Sequence, residues 1–136
     1  MTLKPDTRTI CIVLWIVAMG ATLYASVLPR LAPPEEYGID KLIHFGVYGL
    51  LALLPTLAFR GRNARWTAYA VAFLLAVGIE IAQGYIPNRT ASIHDVISSA
   101  FGMGAGVPAA LVLLRRWERL RQPQNDTAGS GTLPAD

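Results

Sequence analysis

The chain has 136 residues, 53% of them hydrophobic and only 15% charged, with a mean hydropathy of +0.40; this composition excludes an ordinary water-soluble globule and points to a membrane protein. The net charge of +3 comes without stacking aromatics beside a basic stripe, so no nucleic-acid partner is expected. Cys11 is the single cysteine, which excludes an internal disulfide and a zinc site built on several thiolates.

The first apolar stretch, residues 9–28, follows Lys4 and Arg8. Its apolar run exceeds the ~7–15-residue core of a signal peptide, and no clean small-x-small site ends it, so it is expected to persist as a span. Further stretches follow at residues 42–59, 66–84 and 96–114, each near the ~20 residues that cross ~30 Å of hydrocarbon. The expected fold is all-α, an integral membrane bundle of four transmembrane helices, because helices satisfy the backbone groups that lipid cannot.

Punctuation agrees with these spans. Pro29, Pro33 and Pro34 interrupt the first link, Gly61 lies in the second, and Pro87-Asn88 make a turn in the third. The links are too short for a second domain, so residues 1–121 are expected to form one membrane domain. Residues 122–136, rich in Gln, Asn, Gly, Ser, Thr and Pro, read as a disordered cytoplasmic tail.

Cations alternate along the chain. Lys4 and Arg8 lead it, Arg60, Arg62 and Arg65 fill the second link, and Arg115, Arg116, Arg119 and Arg121 follow the last span. Segments rich in Lys and Arg stay in the cytoplasm, so both termini are expected inside and the protein in the plasma (inner) membrane. In the other two links Arg30 and Lys41 are offset by Glu35, Glu36 and Asp40, and Arg89 faces Asp95; these links are expected outside.

The polar residues beside the outer links fall at helical spacing. Asp40, His44 and Tyr48 are i, i+4 and i+8 in the second span, and Glu80 and Gln83 are i and i+3 near the outer end of the third. In the fourth, Asp95, Ser98, Ser99, Gly102 and Gly106 form a small and polar stripe that includes a GxxxG pattern for close helix approach. Ionisable groups beside hydrocarbon are costly unless partnered, so this gathering marks a candidate site.

Structural readings compete with the functional one. Ser92-Ile93-His94-Asp95 is a capping box that would use Asp95 at a helix start, Asp40 fits an N-cap after Gly38, Lys41 and Arg89 can snorkel to head groups, and His44 can be a packing residue. Glu80 resists such a reading best, since a carboxylate within an apolar span needs a proton, a cation or a metal.

The ordered motifs DKLIHFGVYGLL, from Asp40, and EIAQGYIPNRTASIHDVISSAFGMGAG, from Glu80, resemble the VanZ-like family, named for a small membrane protein associated with teicoplanin resistance. The resemblance runs from Asp40 to Gly106 and implies Asp40, Lys41, His44, Glu80, Gln83, Arg89 and Asp95 as the family's characteristic polar residues. It also implies a membrane address and a link to glycopeptide resistance. Ser99 stands where the family usually has Asn, and its hydroxyl lacks the second donor of an amide.

Three functions follow as expectations. In the first, an outward-facing site binds a polar or anionic group of an envelope component, such as the phosphate of a lipid-linked precursor. Lys41 and Arg89 supply charge there, and Asp40, Gln83 and Ser99 belong to the same binding set. In the second, His44, Glu80 and Asp95 are catalytic, with His44 as base or nucleophile and Glu80 as acid, in phosphoester or acyl hydrolysis or transfer. In the third, the charges form a structural or proton-linked network. No cofactor is expected. A metal held by His44, His94, Glu80 or Asp95 ranks below the first two readings, because no HExxH or comparable spacing occurs. Membrane lipids are the expected partners, and a transport role would require a homo-oligomer.

Overall fold

The computed structural model describes residues 4–28, 38–87 and 90–121. The expectations for the proline-rich first link, for Asn88 and Arg89, and for the tail lie outside the described residues. The helices found among these residues are α1 (Pro5–Val27), α2 (Ile39–Ala58), α3 (Arg62–Gln83) and α4 (Ile93–Arg121). All four are long and apolar enough to cross a membrane, so the expected all-α bundle is the observed one.

Each helix extends past its apolar stretch into flanking polar sequence. α1 starts at Pro5, whose fixed φ suits a first helical position and whose missing N–H would have had no helical partner there. α4 runs through Arg115, Arg116 and Arg119, since a helix ends where its backbone finds other partners and not where hydropathy falls.

α2 is the centre of the bundle and packs against α1, α3 and α4, with α4 its closest neighbour. The glycine stripe explains that closeness. A Cβ added at Gly102 would collide with the Phe45 carbonyl, and one at Gly106 with the Gly49 carbonyl, so only glycine lets these backbones meet. The GxxxG expectation is thus realised within the chain, between α4 and α2.

α1 lies at the periphery, with Cys11 its one buried residue. Two side chains tie it to α2 through backbone groups that need donors. Pro55 inside α2 has no N–H for the Leu51 carbonyl, and Trp15 Nε1 donates to that oxygen at 3.0 Å. At the end of α2, Arg8 Nε donates to the Ala58 carbonyl at 2.8 Å and Arg65 Nε to the Phe59 carbonyl at 2.6 Å, covering carbonyls that the helix leaves open. The outer faces of the helices carry exposed Ile, Leu, Val and Phe side chains, as a lipid-facing surface requires.

Candidate functional site

Ala68, Ala72 and Ala76 form the buried stripe of α3, four residues apart, and the next position on the stripe is Glu80. Packing the alanines inward therefore carries Glu80 inward as well, where it is 5% exposed. The start of α2 supplies buried Asp40 and Tyr48 with half-buried His44 between them, and the start of α4 supplies buried Asp95 and Ser99. Three helices thus deliver acids and an imidazole to one end of the bundle, on the faces their spacing predicts.

His44 is the hub of the cluster. Its Nδ1 lies 3.3 Å from Ser99 Oγ and its Nε2 3.9 Å from Glu80 Oε1, while its ring stacks on Tyr48 at 6.1 Å between centroids. Ser99 Oγ donates to the Asp95 backbone carbonyl at 2.7 Å. That donation commits the hydroxyl proton, so Ser99 meets the imidazole as an acceptor. A neutral His44 then carries its proton on Nδ1 and turns the Nε2 lone pair toward Glu80, a tautomer inferred from the bonding pattern. One ligand-type atom each from His44, Glu80 and Asp95 lie within 4.8 Å of one another.

The capping box is built differently from the expectation. In such a box the Asp95 carboxylate would reach back to the Ser92 N–H. That N–H instead donates to Glu80 Oε2 at 2.9 Å, because the inward stripe of α3 brings Glu80 to the start of α4. Asp95 is relieved of the cap. Nor is Asp40 an N-cap. Gly38, at φ +70°, holds that position without a side-chain bond, and Asp40 sits in the first turn with Oδ2 2.9 Å from Lys41 Nζ. Among the described residues, Asp40 Oδ1, Asp95 Oδ1 and the Tyr48 hydroxyl are buried without a hydrogen-bond partner.

The remaining candidates divide. Lys41 stands at the rim with 43% of its side chain exposed. Gln83 is buried and donates to the Ser26 carbonyl at 3.3 Å, which ties α3 to the end of α1. His94 is exposed and outside the cluster. Arg89 lies outside the described residues. Sequence reasoning placed Tyr48 on the polar face but not in the site, although its i+8 spacing from Asp40 was the available signal. It missed Glu80 as the cap of α4, for which no local pattern exists.

Four membrane-crossing helices with buried acids and a histidine gathered at one end define a multi-pass membrane protein with a polar site inside the bundle. A family model described as VanZ/LLP1 matches residues 7–115, and the chain belongs to that family, as the resemblance implied. No curated protein and no solved structure matches it.

Proposed function

We propose that this is a plasma-membrane protein with cytoplasmic termini whose polar cluster faces outward and binds the phosphate-bearing head of a cell-envelope lipid. The observation that carries this reading is the meeting of His44, Glu80 and Asp95, from three helices, within 4.8 Å at the end of the bundle opposite Arg8, Arg65 and the last arginines of α4. Lys41 at the rim, paired with Asp40, offers an ammonium to the phosphate, and Arg89 a forked partner. An apolar cleft between α4 and the arginine half of α3, lined by Trp66, Tyr69, Ala70, Phe73, Ala100 and Met103, suits a hydrocarbon chain.

Full-length protein in neutral-lipid nanodiscs tests the reading by binding of a polyprenyl phosphate against the uncharged polyprenol. Wild type prefers the phosphate, and Lys41→Met weakens that preference. Equal retention of both lipids by folded wild type overturns it. The family's phenotype supplies a cellular arm, in which wild type protects a Gram-positive host against teicoplanin and Glu80→Gln, at matched membrane levels, does not.

A second reading, a membrane hydrolase or transferase acting on the phosphate or acyl group, is favoured by the Nε2 lone pair of His44 beside Glu80, which is a base with an acid partner. His44→Gln separates the two. It abolishes turnover if the site is catalytic, and finds no turnover to lose if it is not.

A further inference from the structure

Asp40, Glu80 and Asp95 are each at least nine-tenths buried, and Lys41 is drawn to Asp40. Glu80 Oε1 lies 3.9 Å from His44 Nε2, and one ligand-type atom each from His44, Glu80 and Asp95 lie within 4.8 Å of one another. Atoms of this kind, converging from three helices in a low-dielectric interior, form a geometry that a shared cation stabilises.

We propose that His44, Glu80 and Asp95 hold a divalent metal ion of the zinc or manganese class, and that this ion strengthens the site's affinity for phosphate. The donor set of one imidazole and two carboxylates suits such ions better than calcium or magnesium, which favour all-oxygen shells. Three protein ligands leave at least one coordination position open for a phosphate oxygen. Tetrahedral zinc at ~2.1 Å from each ligand needs ligand atoms ~3.4 Å apart, a contraction that side-chain torsions of His44, Glu80 and Asp95 can supply.

Independent observations point the same way. Ser99 fixes the metal-binding tautomer by accepting the Nδ1 proton, as an outer partner does for a ligating histidine. Glu80 can serve as cap and ligand at once, through Oε2 to the Ser92 amide and Oε1 toward the ion. The Tyr48 hydroxyl and Asp40 Oδ1, from outside the ligand set, are buried without a hydrogen-bond partner among the described residues, and the Tyr48 ring stacks on that of His44. A water or phosphate oxygen on the metal would give the phenol an acceptor. The sequence named these residues as a metal set but ranked it low, because ligands from three helices share no local spacing.

The inference deepens the phosphate-binding reading and rests on it only for what the open position receives. The test is titration of tag-free, metal-stripped, full-length protein in neutral-lipid nanodiscs with Zn²⁺ and Mn²⁺ against a chelating indicator dye. Polyprenyl phosphate binding is then measured with and without the bound ion. Wild type takes up one equivalent. Glu80→Gln keeps an acceptor for the Ser92 amide, and with Asp95→Asn and His44→Gln it weakens binding by more than the ~10–100-fold typical of losing an outer partner. Ser99→Ala falls within that range, and the exposed-site control His94→Gln changes nothing. Folded wild type that binds neither ion, or binding that survives unchanged in both His44→Gln and Asp95→Asn, overturns the metal site. Phosphate-lipid binding that is indifferent to the metal overturns the role given to the ion and leaves the functional reading standing. Zinc uptake without preference for the phosphate lipid does the reverse.

Discussion

The two ends of the bundle use charge in opposite ways. At the arginine end, Arg8 and Arg65 donate to the Ala58 and Phe59 carbonyls that finish α2, where cations also complement the helix dipole, and Arg60, Arg62, Arg115, Arg116 and Arg119 are exposed. Every charge described there is hydrated or covers an open carbonyl. At the other end Asp40 and Asp95 lie in the first turns of α2 and α4, also favourable for the dipole, yet both are buried and each keeps an oxygen without a hydrogen-bond partner among the described residues. A fold that needed only helix caps would resemble the arginine end. The surplus of buried acceptors is a cost to stability of the kind kept at functional sites.

The largest effect is expected where the acid end is assembled. Gly106→Leu would drive a side chain into the Gly49 carbonyl, separating α4 from α2 and pulling Asp95 and Ser99 away from His44. Overpacking costs of ~1–3 kcal/mol are a lower bound when backbone must move, so the variant should fail to accumulate in membranes, or accumulate with no metal or lipid binding. Normal accumulation with normal binding would show that the acid end does not depend on this helix contact. Asp95→Asn comes next and divides the ends most sharply. It should abolish metal and phosphate-lipid binding, while thermal unfolding of metal-stripped protein stays unchanged or shifts upward by about 1 kcal/mol, because an uncompensated buried charge is removed. Loss of stability there would make Asp95 structural, like the arginines opposite.

That contrast between ends was partly legible in the sequence. Hydropathy located the four helices, and the spacing of Asp40, His44 and Tyr48, and of Asp95, Ser99, Gly102 and Gly106, put the right residues on the inward faces. Boundaries shifted because apolar windows stop at the first charges, whereas the hydrogen-bond ladder continues through Arg62 to Arg65 and through Arg115 to Arg119. What stayed hidden was long-range exchange between helices. The Ser92 amide is taken by Glu80, twelve residues away, so the local capping-box pattern misassigned Asp95. The Leu51 carbonyl freed by Pro55 is claimed by Trp15, 36 residues away. Neither partner follows from local periodicity.

A smaller effect is expected at the arginine end. Arg8→Met removes one partly exposed hydrogen bond to the Ala58 carbonyl, worth about 1 kcal/mol, and should lower the unfolding midpoint slightly while leaving metal affinity and lipid binding at wild-type values. A matching loss of binding would mean that the two ends are coupled through α1, most directly by Gln83 at the Ser26 carbonyl.

Single cysteines should perturb stability least and decide what the comparison means in a cell. Asn63 is exposed in the first turn of α3 and Thr90 in the link between α3 and α4, and in a Cys11→Ala background each replacement by cysteine alters an exposed side chain. The arginine clusters beside Asn63 should hold that end in the cytoplasm. A membrane-impermeant maleimide applied to intact cells should therefore label Thr90→Cys and spare Asn63→Cys until the membrane is opened. The opposite pattern would leave the bundle and the metal cluster as they are but turn the acid end inward. A phosphate drawn to His44, Glu80 and Asp95 would then belong to a lipid of the inner leaflet, and protection against an extracellular glycopeptide could not arise at this site.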